Sequence, residues 1–190
     1  MQPSKSYRRL CSAIAALMLA GTAFGCSVAN AEKAPKASSL VGRVAPPFTV
    51  STLDGKPVSL ADYKGKALLI NFWATWCEPC RQEMPWLADL REQYASRGFE
   101  VLGILTDNAA REKVAALLEK DGVKYPVLVC NHKTAQAYGG LPDLPESFFV
   151  DAKGVVVAVM SGAGSKAEIE ANIRRALRRS QTGKQAGKNE

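Results

Sequence analysis

The sequence has few cysteines, which excludes a small domain held together by several disulfides. Of its five cysteines, Cys11 and Cys26 lie in an N-terminal segment that has the features of an export signal, and this leaves Cys77, Cys80 and Cys130. One C-x-x-C pair and one further cysteine do not form a disulfide scaffold, even in an oxidising compartment. The fold must therefore be stabilised by a hydrophobic core, which 190 residues with 47% apolar residues can bury as one domain.

The basic stretch from Arg174 to the C-terminus also lacks aromatic residues, although the formal net charge of the chain is +7. The excess lies at the two ends, because residues 1–31 carry three basic and no acidic residues. Near the C-terminus the basic residues are Arg174, Arg175, Arg178, Arg179, Lys184 and Lys188, against Glu190. We expect no nucleic-acid partner, a flexible basic tail over residues 180–190, and at most weak association with an anionic membrane surface.

The N-terminal segment is typical of an export signal. Lys5, Arg8 and Arg9 precede an uncharged stretch from Leu10 to Ala31 that ends in a small-x-small cleavage pattern. We expect a signal peptide over residues 1–31, a tether over 32–40, and a soluble periplasmic or otherwise extracytoplasmic protein after cleavage. Two alternatives stay open, a retained membrane anchor and a lipoprotein attached through Cys26.

The central motif is the stretch from Ala67 to Cys80, in which an apolar run of strand formers ends in two cysteines and a helical pattern follows. This order places a dithiol where a strand turns into a helix. Cys77 falls at the helix N-terminus, where free backbone amides and the helix dipole stabilise a thiolate. We therefore assign Cys77 as the nucleophile and Cys80, one turn further in and more buried, as the resolving thiol that closes a redox disulfide.

The rest of the pattern alternates strands with helices. We predict a hairpin over 48–60, strands over 67–73, 99–105 and 126–129, helices over 80–97, 111–120 and 133–138, a second hairpin over 147–160, and a last helix after a Ser165–Glu168 capping box. A helix between consecutive strands makes those strands parallel. The predicted fold is α/β, a mixed β-sheet sandwiched by helices, with an N-terminal β-hairpin and a central helix–strand insertion.

The dithiol and its flanks closely resemble the thioredoxin superfamily. Trp73 and Trp76 precede Cys77, Pro79 precedes Cys80, and Pro85 follows five residues later. The Asn-Phe-Trp-Ala-Thr-Trp-Cys stretch with Gly-Lys ahead of it, the signal segment and the 144–151 stretch Leu-Pro-Glu-Ser-Phe-Phe-Val-Asp are similar to the exported branch of TlpA, ResA and CcmG (DsbE). The resemblance covers about 41–177, so we expect a thioredoxin-like domain over 41–179.

This resemblance implies a protein-disulfide reductase whose site is completed by the 144–145 segment. It implies a cis peptide at Pro145, which packs against the dithiol, and a substrate groove formed by Trp76, Glu78, Pro79, Leu144 and Pro145. It also implies disulfide-bearing exported substrates, such as apocytochrome c or copper-site proteins, in cytochrome c maturation or respiratory enzyme assembly. A membrane thiol donor of the DsbD or CcdA kind is the implied source of electrons.

Two acidic residues next to the dithiol indicate the direction of the reaction. Glu78 lies between the cysteines, and Glu83 follows Cys80 by three residues on the same helical face. Negative charge near a thiolate raises the thiol pKa, and a reduced form without special stabilisation gives a reducing couple. The resemblance to ResA makes Glu83 a base or proton store for Cys80. The alternative is a solvated acid of the first helical turn.

Two other functions use the same residues differently. Cys77, Cys80 and His132 could form a Cu(I) site of a copper-delivery protein, although such carriers use a wider cysteine spacing. A peroxiredoxin-like peroxidase would need Thr or Ser three residues before a lone reactive cysteine. We favour the disulfide reductase, with no cofactor and no metal, and we expect Cys130 to be a small buried hydrophobe and His132 a loop residue.

Overall fold

The computed structural model describes residues 34–186, with side chains described up to residue 180. The predicted signal peptide or anchor over 1–31 lies outside the described residues. The strands are β1 (Thr49–Thr52), β2 (Pro57–Ser59), β3 (Ala67–Trp73), β4 (Phe99–Leu105), β5 (Val127–Val129), β6 (Glu146–Val150) and β7 (Val156–Ser161). The helices are α1 (Glu78–Tyr94), α2 (Arg111–Lys120), α3 (His132–Ala137) and α4 (Lys166–Ala186).

All seven described strands form one mixed sheet in the order β2-β1-β5-β4-β3-β6-β7. Strands β3, β4 and β5 are parallel, and Trp73, Leu105 and Val129 lie side by side where these strands end. Strand β6 is antiparallel to β3, and β7 is antiparallel to β6. The sheet therefore has two ends along the direction of its strands. We call the end at Trp73, Leu105 and Val129, where the parallel strands finish, the dithiol edge. We call the opposite end, where β3 and β4 begin, the far edge.

The central strands are buried on both faces, as the apolar run in β3 predicts. Every residue of β3 and β4 is buried. On one face Leu69 packs with Leu87 and Leu90 of α1 and with apolar residues of α4. On the other face Phe72, Tyr138 and Phe148 form an aromatic cluster whose Tyr138 and Phe148 rings meet edge to face at 4.9 Å. The predicted α/β fold, a mixed sheet sandwiched by helices, is confirmed.

Local signals placed several element boundaries correctly and missed others. Strands β3 and β4 and helix α2 have the predicted bounds. The helix predicted over 80–97 instead begins at Glu78 because the side chain of Cys77 caps it, and it ends at Tyr94, after which residues 95–97 form a 3-10 helix. Ser165 and Glu168 form the expected capping box before α4.

Both ends of the domain are longer than the pattern predicts. Residues Ala37–Leu40, within the predicted tether, form a 3-10 helix, and Leu40 is buried in the core. Helix α4 continues to Ala186, into the stretch predicted as a flexible tail. None of the helices described between residues 34 and 186 has the length and apolarity that a bilayer crossing requires.

Candidate active site

The two cysteines of the C-x-x-C motif form a disulfide at the start of α1. Their Cα atoms are 5.3 Å apart, and only 4% of Cys77 and 2% of Cys80 are exposed. Cys77 is the N-cap residue of α1, and its Sγ accepts the backbone N–H of Cys80 at 3.3 Å. In the reduced protein the same N–H and the helix dipole would stabilise a Cys77 thiolate, as the nucleophile assignment requires.

The residues between and before the cysteines form the exposed rim of the site. Trp76 is 72% exposed, which is unusual for so large an apolar side chain, and Glu78 and Pro79 are exposed as well. Trp73, by contrast, is fully buried under the dithiol. Trp76 therefore presents an exposed indole directly beside Cys77, while Trp73 belongs to the core.

The loop before β6 lies against the dithiol. The Leu144–Pro145 peptide is cis, as the resemblance implies, and Pro145 is buried. Leu144 is half-buried and packs against the apolar cluster that contains Cys77, Cys80, Trp73 and Met84. The structure thus brings the 144–145 segment to the dithiol from a position 64 or more residues later in the chain.

Glu83 is buried, so the alternative of a solvated first-turn acid is wrong. Only 3% of the residue is exposed, and its Oε1 accepts the backbone N–H of Gly164 at 2.8 Å. Burial raises the pKa of Glu83, while the hydrogen bond from Gly164 acts in the opposite direction. The raised pKa favours the protonated carboxyl relative to a solvated glutamate, which is the direction that a proton store needs.

Glu146, next to Pro145, is a second buried acid to which the sequence assigned no role. Its Oε1 accepts a hydrogen bond from Ser161 Oγ at 2.6 Å, and its Oε2 is buried without a protein partner. Burial raises the pKa of Glu146, the hydrogen bond from Ser161 acts in the opposite direction, and the nearby Asp143 raises the pKa slightly further. The Pro-Glu pair in the 144–151 stretch was the available sequence signal, but strand alternation alone does not reveal whether this side chain is buried.

The exposed Glu78 and the partly buried Arg81 form a charge pair at the first turn of α1. Arg81 Nη1 lies 3.7 Å from Glu78, and its Nε lies 3.2 Å from Asp121 in the loop after α2. The guanidinium therefore offsets the charge of Glu78 and is itself held by Asp121. Glu78 contributes less to the electrostatics of the thiols than its position between the cysteines suggests.

The loop that carries Trp76 is held by Asp107, a residue that the sequence pattern did not single out. The Asp107 carboxylate accepts the Thr75 hydroxyl at 2.6 Å and the Thr75 backbone N–H at 3.3 and 3.4 Å. One residue earlier, Thr106 donates its N–H and its hydroxyl to Trp73 O at 2.9 and 3.0 Å. The end of β4 therefore fixes residues 73–75, immediately before Trp76 and Cys77.

We expect Asp107→Ala to slow the reduction of a protein disulfide about three- to tenfold, because hydrogen bonds to a carboxylate contribute roughly 1.5–3 kcal/mol each and part of that energy is recovered from water. Reduction of a small aliphatic disulfide, which has no aromatic ring to stack on Trp76, should change less. Asp107→Asn should recover part of the rate, and Asp89→Ala, which removes a surface partner of Lys166, serves as the control. Equal slowing for both substrates would contradict a positioning role.

Cys130 lies outside this constellation. It follows β5, its backbone N–H bonds to Leu105 O at 2.7 Å, and its side chain packs against the core cluster around Phe72. Burial raises the pKa of the Cys130 thiol to about 11, so the thiol stays protonated at neutral pH.

His132 is exposed and begins α3, capped by Asn131, where the sequence predicted a loop. Among residues 34–186 no group of three or more His, Cys, Asp and Glu side chains is arranged to hold a metal ion.

Comparison with known proteins agrees with this geometry. Residues 41–159 match the AhpC/TSA family. The chain is 34% identical over 168 residues to the thiol-disulfide oxidoreductase ResA of Bacillus subtilis, covering 87% of this chain and 92% of the relative. It is 40% identical, with a TM-score of 0.63, to the crystal structure of a thioredoxin-family thiol:disulfide interchange protein from Chlorobium tepidum, covering 70% and 95% of the two chains. A second Chlorobium tepidum structure, a putative thiol:disulfide interchange protein DsbE, is 31% identical with a TM-score of 0.65, covering 72% and 97%.

Proposed function

Because this chain belongs to the AhpC/TSA family and is a thiol-disulfide oxidoreductase of the ResA and DsbE type, we propose that it reduces protein disulfides outside the cytoplasm. In the proposed reaction the Cys77 thiolate attacks a substrate disulfide, and one substrate cysteine leaves as a thiol. Cys80 then attacks the mixed disulfide, which releases the second substrate thiol and forms the Cys77–Cys80 disulfide. Two electrons pass from the dithiol to the substrate.

The burial of Glu83 is the observation that carries the reducing direction. A buried carboxyl group three residues after Cys80, one helical turn away, disfavours negative charge on the sulfurs at the start of α1, because Coulomb repulsion is weakly screened in a buried site. Arg81, in the first turn of the same helix, is engaged by Asp121 and Glu78. This repulsion partly offsets the stabilisation that Cys80 N–H and the start of α1 give to a Cys77 thiolate. A couple whose thiolate is not strongly stabilised is reducing, whereas a strongly stabilised thiolate gives an oxidant such as DsbA.

The surface around the dithiol favours a protein as the substrate. The exposed Trp76 and the half-buried Leu144 flank a disulfide that is itself almost fully buried, so the substrate must dock before its sulfur reaches Cys77. The proposed substrates are disulfide-bearing exported proteins, such as apocytochrome c or copper-site proteins, in cytochrome c maturation or respiratory enzyme assembly. The proposed electron donor is a membrane thiol transporter of the DsbD or CcdA kind.

Export is proposed from the N-terminal sequence. The basic start and uncharged stretch to residue 31 are typical of a signal peptide, and cleavage would release a periplasmic or otherwise extracytoplasmic domain. Retention as an anchor and lipid attachment at Cys26 are the other outcomes. Mass spectrometry of the protein recovered from an exporting host distinguishes the three by the mass of the N-terminus.

No observation among the described residues favours the two alternative functions. His132 lies exposed at the start of α3, and the residues described offer no metal-ligand cluster for a copper carrier. Ala74 stands three residues before Cys77, at the position where a peroxidase would need a hydroxyl.

We expect the Cys77–Cys80 couple to have an equilibrium midpoint more negative than about −220 mV, nearer to thioredoxin at about −270 mV than to DsbA at about −120 mV. The measurement is titration against glutathione or dithiothreitol, with the oxidised and reduced forms separated after alkylation. A midpoint close to that of DsbA would make the protein an oxidant and overturn the proposed direction.

A further inference from the structure

The far edge of the domain brings together segments that are distant in sequence. The start of β3 meets the residue before β4, because Ala67 N–H donates to Gly98 O at 2.9 Å. The turn between β6 and β7 meets α4, because Ala152 N–H donates to Ser180 Oγ at 2.9 Å. Since β3 has seven residues and the dithiol follows its other end, the two edges are about 20 Å apart.

Exposed cations surround this edge, and they come from five separate segments. Lys64, Lys66 and Lys153 line one groove, Arg97 lines an adjoining depression with Ser180, and Arg43 lies in the strand-like segment that pairs with Val156. Together with Arg179 of α4 the exposed set is Arg43, Lys64, Lys66, Arg97, Lys153 and Arg179. We call this set and the groove between its members the basic end.

The acidic residues at the basic end are mostly engaged inside the domain. Asp151 is buried, and its Oδ1 accepts the backbone N–H groups of Lys153 and Val155. Glu100 is buried and bonds Arg91 through both carboxylate oxygens, and it also lies 3.9 Å from the half-exposed Lys66 Nζ. Asp62 is exposed, but it caps the short 3-10 helix after β2. The outward charge of this end is therefore positive.

The groove at the basic end is apolar and open. It has a volume of about 350 Å³ and is lined by residues such as Leu60, Tyr63 and Leu68, with the lysines at its rim. Val44 on the same rim is 70% exposed, and Val41 nearby is 45% exposed. The other exposed large hydrophobic residue of the described chain is Trp76, at the dithiol edge.

We propose that the basic end docks on the surface of an anionic phospholipid bilayer. Cations spread over a whole end of the domain around exposed valines match a wide anionic surface with an apolar layer beneath it, which is how interfacial proteins bind membranes. A peptide ligand would need its charge partners along one line, and these cations come from five segments around the groove. Docked in this way, the protein presents Trp76 and the dithiol away from the membrane. The proposal does not depend on the direction of the redox reaction.

The first test measures binding of the full-length protein to vesicles of phosphatidylglycerol and phosphatidylcholine or of phosphatidylcholine alone. The variant Lys64→Glu/Lys153→Glu/Arg179→Glu is compared with Lys113→Glu/Lys120→Glu/Lys133→Glu, which has the same net charge and changes exposed lysines of α2 and α3 outside the groove. We expect the first variant to lose roughly tenfold or more of the preference for anionic vesicles, and the control to keep it within about twofold. Equal losses in the two variants, or no loss in either, would overturn the proposal.

A second test identifies which surface of the domain faces the lipid, even if the N-terminal segment itself binds the bilayer. Val44→Trp places an indole on the rim of the groove, and brominated acyl chains quench an indole that reaches them. We expect the fluorescence of the new indole at position 44 to be quenched in anionic vesicles. Salt, or the added substitutions Lys64→Glu, Lys153→Glu and Arg179→Glu, should relieve this quenching. The fluorescence of Trp76 should not be quenched. Absence of quenching at position 44, or quenching at Trp76 instead, would show that another surface faces the lipid.

Discussion

Replacing Cys77 by serine is expected to abolish disulfide reduction, with a loss of at least about a thousandfold in the rate of insulin reduction. A serine hydroxyl is not ionised at neutral pH, so the stabilisation that Cys80 N–H and the start of α1 offer to an anion at position 77 has no nucleophile to act on. Because the attack by this sulfur begins every turnover, no other residue near the dithiol can replace it.

Cys80→Ser is expected to behave differently, because the nucleophile remains and only the resolving step is lost. This variant should react once with a substrate disulfide and stay attached to it, so gels run without reductant should show a mixed disulfide through Cys77. In an exporting host the same variant should capture the natural substrates. Cys130→Ser, which changes a packed thiol with a pKa of about 11, is the matched control and should leave the rate unchanged. Equal reactivity of the Cys77→Ser and Cys80→Ser proteins toward an alkylating reagent at neutral pH would undo this division of roles.

Glu83→Gln is expected to lower the pH at which Cys77 is alkylated and to make the couple less reducing by about 30 mV, the equivalent of a tenfold change in the exchange equilibrium. Glutamine keeps the size of the side chain and an oxygen that can accept the Gly164 N–H, but it removes the buried charge that disfavours a thiolate. The alkylation profile and the midpoint, measured on the same variant, test both effects.

Glu78→Gln is the matched control, because Glu78 is exposed and its charge is already offset by Arg81. It should move both quantities less than Glu83→Gln does. If Glu83→Gln leaves both unchanged, the buried carboxyl has no part in the redox step.

The stability of the oxidised protein gives an independent check on Glu83. Its pKa is raised in the folded state, so its contribution to stability is fully present below the pKa of the unfolded chain and is lost as the pH rises through the folded-state pKa. Glu83→Gln removes that loss, so thermal unfolding should show the variant gaining stability relative to the wild type from acidic to neutral pH. A difference that does not vary with pH would mean that Glu83 is not buried in solution.

The amino-acid sequence by itself determined the local parts of this protein. Residue periodicity placed β3, β4 and α2 at their observed bounds, because burial on one face or both imposes a repeat that neighbouring residues already display. The spacing of Cys77 and Cys80 after an apolar strand located the redox site, since a dithiol at the start of a helix needs no distant partner. The cis peptide at Pro145 followed from resemblance, which carries information that periodicity does not contain.

The tertiary structure alone decided which distant groups surround the dithiol. Asp107 reaches Thr75 across 32 positions and Gly164 reaches Glu83 across 81, and nothing near either residue in the chain signals the contact. Whether Glu83 and Glu146 are solvated acids or buried ones depends on what packs over α1 and β6, so their raised pKa values could not be predicted from the sequence. The basic end has the same origin, because its cations come from five segments that only the sheet order and the path of α4 bring to one edge.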